Sequence, residues 1–245
     1  MPGLKRSELA GLAGISVEYL IRIEQGRDHN PSVSVVNALA DALRLDAAER
    51  DHLRNVASCS AGPCTAAVQS PRLEVRPTVR ALLAQLEPGI AYVTNRLGDL
   101  PAYTDGFDLL ARPAGVLDGL FPNLTRFVFA DERARRVFPD WERLADELTL
   151  PLSFGAPSER SQRLVADLTA TAGDDFTRRL RGHSRPRGDR QVWCHPAVGT
   201  LRFDRETLEL PAADAQQLVV LLPADAETNA ALNRLRHGGG LALVR

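Results

Sequence analysis

The sequence predicts an α+β protein in two parts: an all-α N-terminal unit, then a domain whose antiparallel sheet is flanked by helices. Three observations carry this. Residues 1–57 repeat apolar side chains at helical spacing between Gly14 and Gly26 turns. Residues 58–72 turn to Ser, Ala, Gly and Pro without periodicity, which reads as a linker. Beyond it lie one early strand candidate and three late ones around several helical segments, as expected for a mostly antiparallel sheet with helices on one side.

In chain order, residues 5–13 carry Leu9, Leu12 and Ala13 on one helical face, and Gly14 supplies the left-handed position of a tight turn. Ser16 is the N-cap of a second helix with Leu20 and Ile23 inward, closed by Gly26. Pro31 and Ser32 open a third, with Val35, Val36, Leu39 and Leu43 at apolar spacing. A fourth starts at Asp46 with Glu49 as in a capping box, and carries His52, Leu53 and Val56.

The second domain spans 73–236. "EVRPTVRALLAQLEP" reads as a helix with Pro77 in its first turn, and "AYVTN" (91–95) as a strand. Residues 105–181 alternate helices with proline-punctuated turns. "QVWCHP", "GTLRFDRETLEL" and "QQLVVLLP" are strands, the last with a buried apolar run from Leu218 to Leu222. Residues 237–245 read as a flexible tail.

Composition narrows the function. At 245 residues, 44% hydrophobic and 25% charged, the chain can build proper cores, which excludes general disorder. A net charge of -1 gives no overall footprint for nucleic acid, so DNA binding has to come from a local surface. No apolar run approaches the roughly 20 residues of a membrane span and no signal-peptide core opens the chain, so a cytoplasmic protein without a membrane partner is expected. Cys59, Cys64 and Cys194 are too few for a disulfide framework; Cys59 and Cys64, separated by "SAGP", read as ordinary thiols.

Helix, glycine turn, helix at this spacing is the helix-turn-helix arrangement, whose second helix enters the major groove. The stretch "ELAGLAGISVEYLIRIEQGRDHNPSVSVVNALADAL" resembles the repressor-type motif of the XRE family. The resemblance implies that Ser16, Val17, Glu18, Tyr19 and Arg22 face the groove, where Arg22 would fork onto guanine and Glu18 accept from cytosine. Lys5 and Arg6 would grip a phosphate before the first helix, and Arg27, His29 and Asn30 would touch the backbone after the second.

In XRE domains a basic helix precedes the motif, and the glutamate matching Glu24 pairs with an arginine on it. With Met1 so close, Glu24 is expected to lack its partner. Leu9, Leu20 and Ile23 are expected to lose cover, a deficit of several kcal/mol. Residues 1–57 also carry seven Lys or Arg against eight Asp or Glu, poor for DNA. Together these imply a natural start further upstream.

Residues 73–236 resemble the C-terminal ligand-binding domain of MmyB-like transcription regulators, a family common in actinobacteria. The pieces that carry it are "VRPTVRALLAQLEPGIAYVTNRLGD", "NLTRFVFADERARRVFPDWE", "LVADLTATAGDDFTRRLRGH", "HPAVGTLRFDRETLEL" and "QQLVVLLPAD". The resemblance implies a PAS-like fold around an apolar pocket for a fatty-acid-like or other small hydrophobic ligand. The chain departs where the family has a tryptophan-asparagine pair and this sequence reads "LPAYTDGFDLL". Tyr92, Phe107, Phe127, Phe129, Phe138, Trp141, Trp193 and Phe203 are the aromatic side chains available to line such a pocket. Asp140-Trp141-Glu142 and His195-Pro196 are family landmarks that suit packing and turn roles as well as ligand contacts.

His183, His195 and Cys194 lack metal-ligand spacing, so no metal is expected. "HGGG" at 237–240 matches a lipase oxyanion string without any nucleophile elbow, and no P-loop or dinucleotide fingerprint appears. No enzyme activity and no cofactor are therefore expected. The expectation is a transcription regulator that binds operator DNA as a homodimer and senses a small apolar ligand. The alternative is a ligand-binding or dimerisation module that has lost DNA binding.

Overall fold

The computed structural model describes residues 4–28, 31–45, 49–50, 53, 57, 73–153, 158–182, 189–210 and 216–238. The chain divides into two compact units, an N-terminal helical one and a larger α+β one. His29, Asn30, Cys59, Cys64, His183, the linker and the end of the tail lie outside the described residues, as does most of the fourth helix expected from Asp46.

In the N-terminal unit, α1 (Arg6–Leu12), α2 (Val17–Glu24) and α3 (Val33–Ala42) follow the expected order. Gly14 and Gly26 both take positive φ, +66° and +63°, as tight exits from α1 and α2 require. Ser16 Oγ accepts the Tyr19 N–H at 3.1 Å and Ser32 Oγ the Val35 N–H at 3.4 Å, so both helix starts are capped by serine. The core is small, built from Ala10, Ala13, Leu20 and Leu39 with Leu9, Ile15 and Val35 packed beside them.

Three expectations here are corrected. Glu24 does have a cation: Arg6 Nε donates to its Oε2 at 2.6 Å, joining α1 to α2. Of the three apolar residues expected to lose cover, Leu20 departs from the expectation, being buried by its neighbours, while Leu9 and Ile23 are half-buried. Leu12 is not on the inner face of α1, being 66% exposed, because Ala10 and Ala13 are the residues that face α2 and α3 closely.

The second unit begins with α4 (Pro77–Gln85), then β1 (Ile90–Asn95), β2 (Ala102–Tyr103), α5 (Asp105–Ala111), α6 (Leu124–Ala130), α7 (Ala134–Val137), α8 (Trp141–Ser153), α9 (Glu159–Ala172) and α10 (Asp174–Arg181). It closes with β3 (Arg190–His195), β4 (Gly199–Glu209), β5 (Gln216–Pro223) and α11 (Ala226–Gly238). The strands form one antiparallel sheet in the order β2-β1-β5-β4-β3. Long connections carry α5 to α10 between the early and late strands, so the last strand returns to pair with the first.

Helices cover both faces of this sheet, which corrects the expected one-sided arrangement. One face presents Ile90, Tyr92, Trp193, Leu201, Phe203, Val219 and Leu221 to the main core. The other presents Ala91, Val93 and Leu218 to Val75, Val79 and Leu83, the last two on α4. Covered on both sides, all six residues of β1 are buried. That cover thins along β5: Leu218 is buried and Val220 partly so, but Leu222, expected in the buried run, is 49% exposed.

The "LPAYTDGFDLL" stretch forms a strand and a helix start. Thr104 Oγ1 accepts the Phe107 N–H at 3.2 Å, capping α5, and also bonds Ala91 at the end of the β1–β2 pairing. Before it, Asn95 bonds Asp99 at 2.8 Å and the Leu97 N–H at 2.9 Å, and Asn123 reaches Asp99 at 2.9 Å. Arg160 on α9 adds a charge-assisted bond to Asp99 at 2.7 Å. This buried polar knot fixes the loop after β1 to the start of α6.

Candidate nucleic-acid interface and ligand site

The N-terminal surface is built around α2. Val17, Glu18 and Arg22 are exposed and Tyr19 half-exposed, while Leu20 points to the core, so the helix is amphipathic with its polar side outward. The Arg22 guanidinium lies over the Tyr19 ring, 5.4 Å from its centroid. Among the described residues Arg22 has no carboxylate partner, which leaves its five donors for an external acceptor. Lys5 and Arg27 are exposed as well. Arg6 is committed to Glu24, so its charge is locally balanced in a way that Lys5's is not. The Ser16 hydroxyl accepts the cap bond and keeps its proton and a second lone pair for an outside partner.

This arrangement suits one kind of chemistry. The first turn of α2 presents Glu18, an acceptor, and its last turn Arg22, a bidentate donor, the side-chain types that read base edges, while Lys5 and Arg27 stand exposed at either end of the motif.

In the second unit all eight aromatic candidates are buried in one cluster. They pack on each other: Phe107 lies 4.6 Å from Tyr92 and edge-on to Trp193 at 6.2 Å, and Phe138 meets Trp193 edge-on at 4.8 Å. Phe127 meets Phe138 at 6.1 Å and Phe129 meets Trp141 at 5.8 Å. Phe203 is fully buried on β4. Phe176 on α10, missing from the sequence-derived set, is equally buried and packs against Phe129 at 5.1 Å. Its signal was present: it is the single aromatic residue in the charged stretch "DDFTRRLR".

Phe129 and Trp141 also line a cleft of about 260 Å³, near the lower end of small-molecule pockets. Its floor is Val128, Phe129, Ala130 and Trp141, and its rim carries Glu132, Arg135 and Asp175. Trp141 is held from several sides. Its indole N–H donates to the Val128 carbonyl at 2.8 Å, and the guanidinium groups of Arg135 and Arg179 lie 3.7 Å and 4.9 Å from its ring centroid. Arg179, half-buried and next to Arg135, is held below the usual guanidinium range by desolvation and then by that like charge, while Glu142 and Asp146 contact it.

A feature that apolar patterning missed lies along β3. Gln191, Trp193 and His195 alternate inward and are each no more than 4% exposed. The Gln191 amide and the Trp193 indole N–H have no hydrogen-bond partner among the described residues. His195 Nδ1 accepts the Ala197 N–H at 3.2 Å, fixing the turn at Pro196. Its Nε2 lies near the Leu109 backbone without a well-formed hydrogen bond. Burial pushes the His195 ring below the ordinary imidazole value, and that backbone contact opposes it weakly. Arg205 on β4 and Glu147 on α8 form a buried ion pair at 2.7 Å. Among the described residues no group of three or more metal-ligating side chains comes together.

A helix-turn-helix head with an open reading helix, followed by an antiparallel sheet domain with an aromatic interior, defines a two-domain protein of the DNA-binding, ligand-sensing class. The match to family models is specific. Residues 75–235 match the MmyB-like transcription regulator ligand binding domain, and residues 2–53 match a helix-turn-helix domain. The chain belongs to the MmyB-like transcription regulator family. No curated protein matches it. Among the described residues, no helix is long and apolar enough to cross a membrane.

Proposed function

We propose that this protein is a sequence-specific, XRE-type transcription regulator that reads an operator as a homodimer and is controlled by a small apolar ligand in its second domain. The observation that carries the DNA half is Arg22: exposed on the last turn of a well-capped α2, with no carboxylate to occupy it among the described residues. The ligand half rests on the family match and on the aromatic interior that opens at the Phe129–Trp141 cleft. A two-fold dimer places two copies of α2 in successive major grooves, about 34 Å apart. Ligand then regulates by preferring one arrangement of the two heads, and shifts the equilibrium only by its difference in affinity between them. Such a protein works in the cytoplasm beside the DNA it reads, and needs neither enzymatic activity nor a cofactor.

The test is a salt-dependent binding titration of the full chain on DNA from upstream of its own gene, beside the Arg22→Ala variant. Binding that weakens steeply with salt, and that loses site preference in the variant, supports the reading. Equal affinity for the upstream DNA and for random sequence rejects it.

A further inference from the structure

We infer that the ligand of the second domain carries an uncharged hydrogen-bonding head group, and that the inner face of β3, at Gln191 and Trp193, is where that group binds. This rests on the ligand-sensing reading above and adds to it the chemistry of the ligand's polar end.

Three observations support the assignment. First, Gln191 is 4% exposed and both atoms of its amide, a donor and an acceptor, are without partners among the described residues; the same holds for the Trp193 indole N–H two residues on. Buried polar groups are nearly always satisfied, so a cluster left open inside a ligand-binding domain asks for an external partner. The residues opposite on β4 cannot supply one. Gln191 faces Phe203 and Trp193 faces Leu201, both fully apolar.

Second, Gln191 borders a small cavity of about 10 Å³, lined also by Phe138, Leu144 and several charged residues, among them the Arg205–Glu147 pair, Arg143 and Arg190. That is room for about one water. A single water at Gln191 does not serve Trp193 as well, since alternate residues of a strand stand about 7 Å apart. A ligand's polar group with apolar chain behind it does. Phe138 borders the cavity and also packs on Trp193, so it is the side chain shared by the two polar sites.

Third, the charges near the cavity are already matched. Arg205 and Glu147 are each 7% exposed and bonded to each other; Arg143 bonds Asp140, and Arg190 bonds Asp204. A carboxylate buried against Gln191 would find neutral donors and no cation in need of an anion, and would bear its full desolvation cost. A primary amide presents one acceptor and two donors to the Gln191 amide and the indole N–H, and carries no charge into the core. The structure therefore favours an amide-like head group over the free acid at this position.

The experiment compares lauramide with laurate, two probes with the same chain and different heads. Calorimetric titration of the full-length protein is done on wild type and on Gln191→Leu, with Trp193→Phe as a second variant. Lauramide is expected to bind wild type about tenfold more tightly than laurate, and each variant to lose most of that preference. Without ligand, Gln191→Leu is expected to raise Tm by a few degrees, because it removes an unsatisfied amide while keeping the side chain's bulk. A lower Tm in Gln191→Leu shows that the amide is structural and overturns the proposal. Laurate binding as tightly as lauramide, unchanged by either substitution, also overturns it while leaving the ligand-sensing reading in place. Failure of both probes to bind wild type overturns it together with the reading of this interior as a lipid-like pocket.

Discussion

A methyl group at Gly98 would have nowhere to go. Its position lies 2.1 Å from Thr125 Oγ1 and 2.9 Å from the Thr125 backbone nitrogen, and the residue's φ is +81°. Backbone strain and collision act together, so Gly98→Ala is expected to cost about 3 kcal/mol, read as a lower urea midpoint. His195 makes a prediction of a different kind. Its folded ring binds a proton more weakly than the unfolded ring does, because burial disfavours the charge. As pH falls through the ordinary value of about 6.5, the unfolded state takes up the proton first. The stability contributed by the neutral ring is therefore complete above that pH and lost below it. Thermal melts between pH 7.5 and 5.5 should fall for wild type and flatten for His195→Gln. At the reading surface, Arg22→Ala is expected to cost about 1–3 kcal/mol on the preferred site and far less on random DNA, by competition binding.

At the scale of elements, α2 shows how little holds the reading helix. Its start depends on the Ser16 cap and its end on the left-handed Gly26. Ser16→Ala is expected to destabilise the N-terminal unit by about 1 kcal/mol, seen by amide exchange in α2. The Arg6–Glu24 pair is a weaker tie. With side chains 66% and 38% exposed, it is screened by water, and Glu24→Gln should change stability by less than about 1 kcal/mol. Sequence reasoning located α1, α2 and α3 because each is bounded by a glycine or a serine cap whose local chemistry is legible. It missed β2, whose two residues carry no periodicity, and it placed Leu12 inward because a helical face drawn from one helix does not say which neighbour it meets. The Arg6–Glu24 contact, between residues 18 positions apart in the chain, left no local signal.

For the whole molecule, the charge balance of residues 1–57 sets the character of DNA binding. Seven cations against eight anions leave few free contacts to phosphate, so the DNA affinity we propose has to draw on base contacts. Lys5→Ala is expected to weaken binding alike on specific and random DNA, and to lower the salt slope by about 1, whereas Arg22→Ala acts mainly on specificity. By itself the sequence determined the two-part organisation, the capped helices of the reading head, the strands β1, β3, β4 and β5, and the aromatic set, because caps, turns and alternation are written in neighbouring residues. Only the tertiary structure decided that α4 covers the second face of the sheet, that Arg6 neutralises Glu24, and that the eight aromatic side chains are buried in one cluster with Phe176. It alone decided that Gln191 and Trp193 turn polar atoms into an apolar interior. Each of these depends on which distant segments meet, and burial and pairing are properties of that meeting.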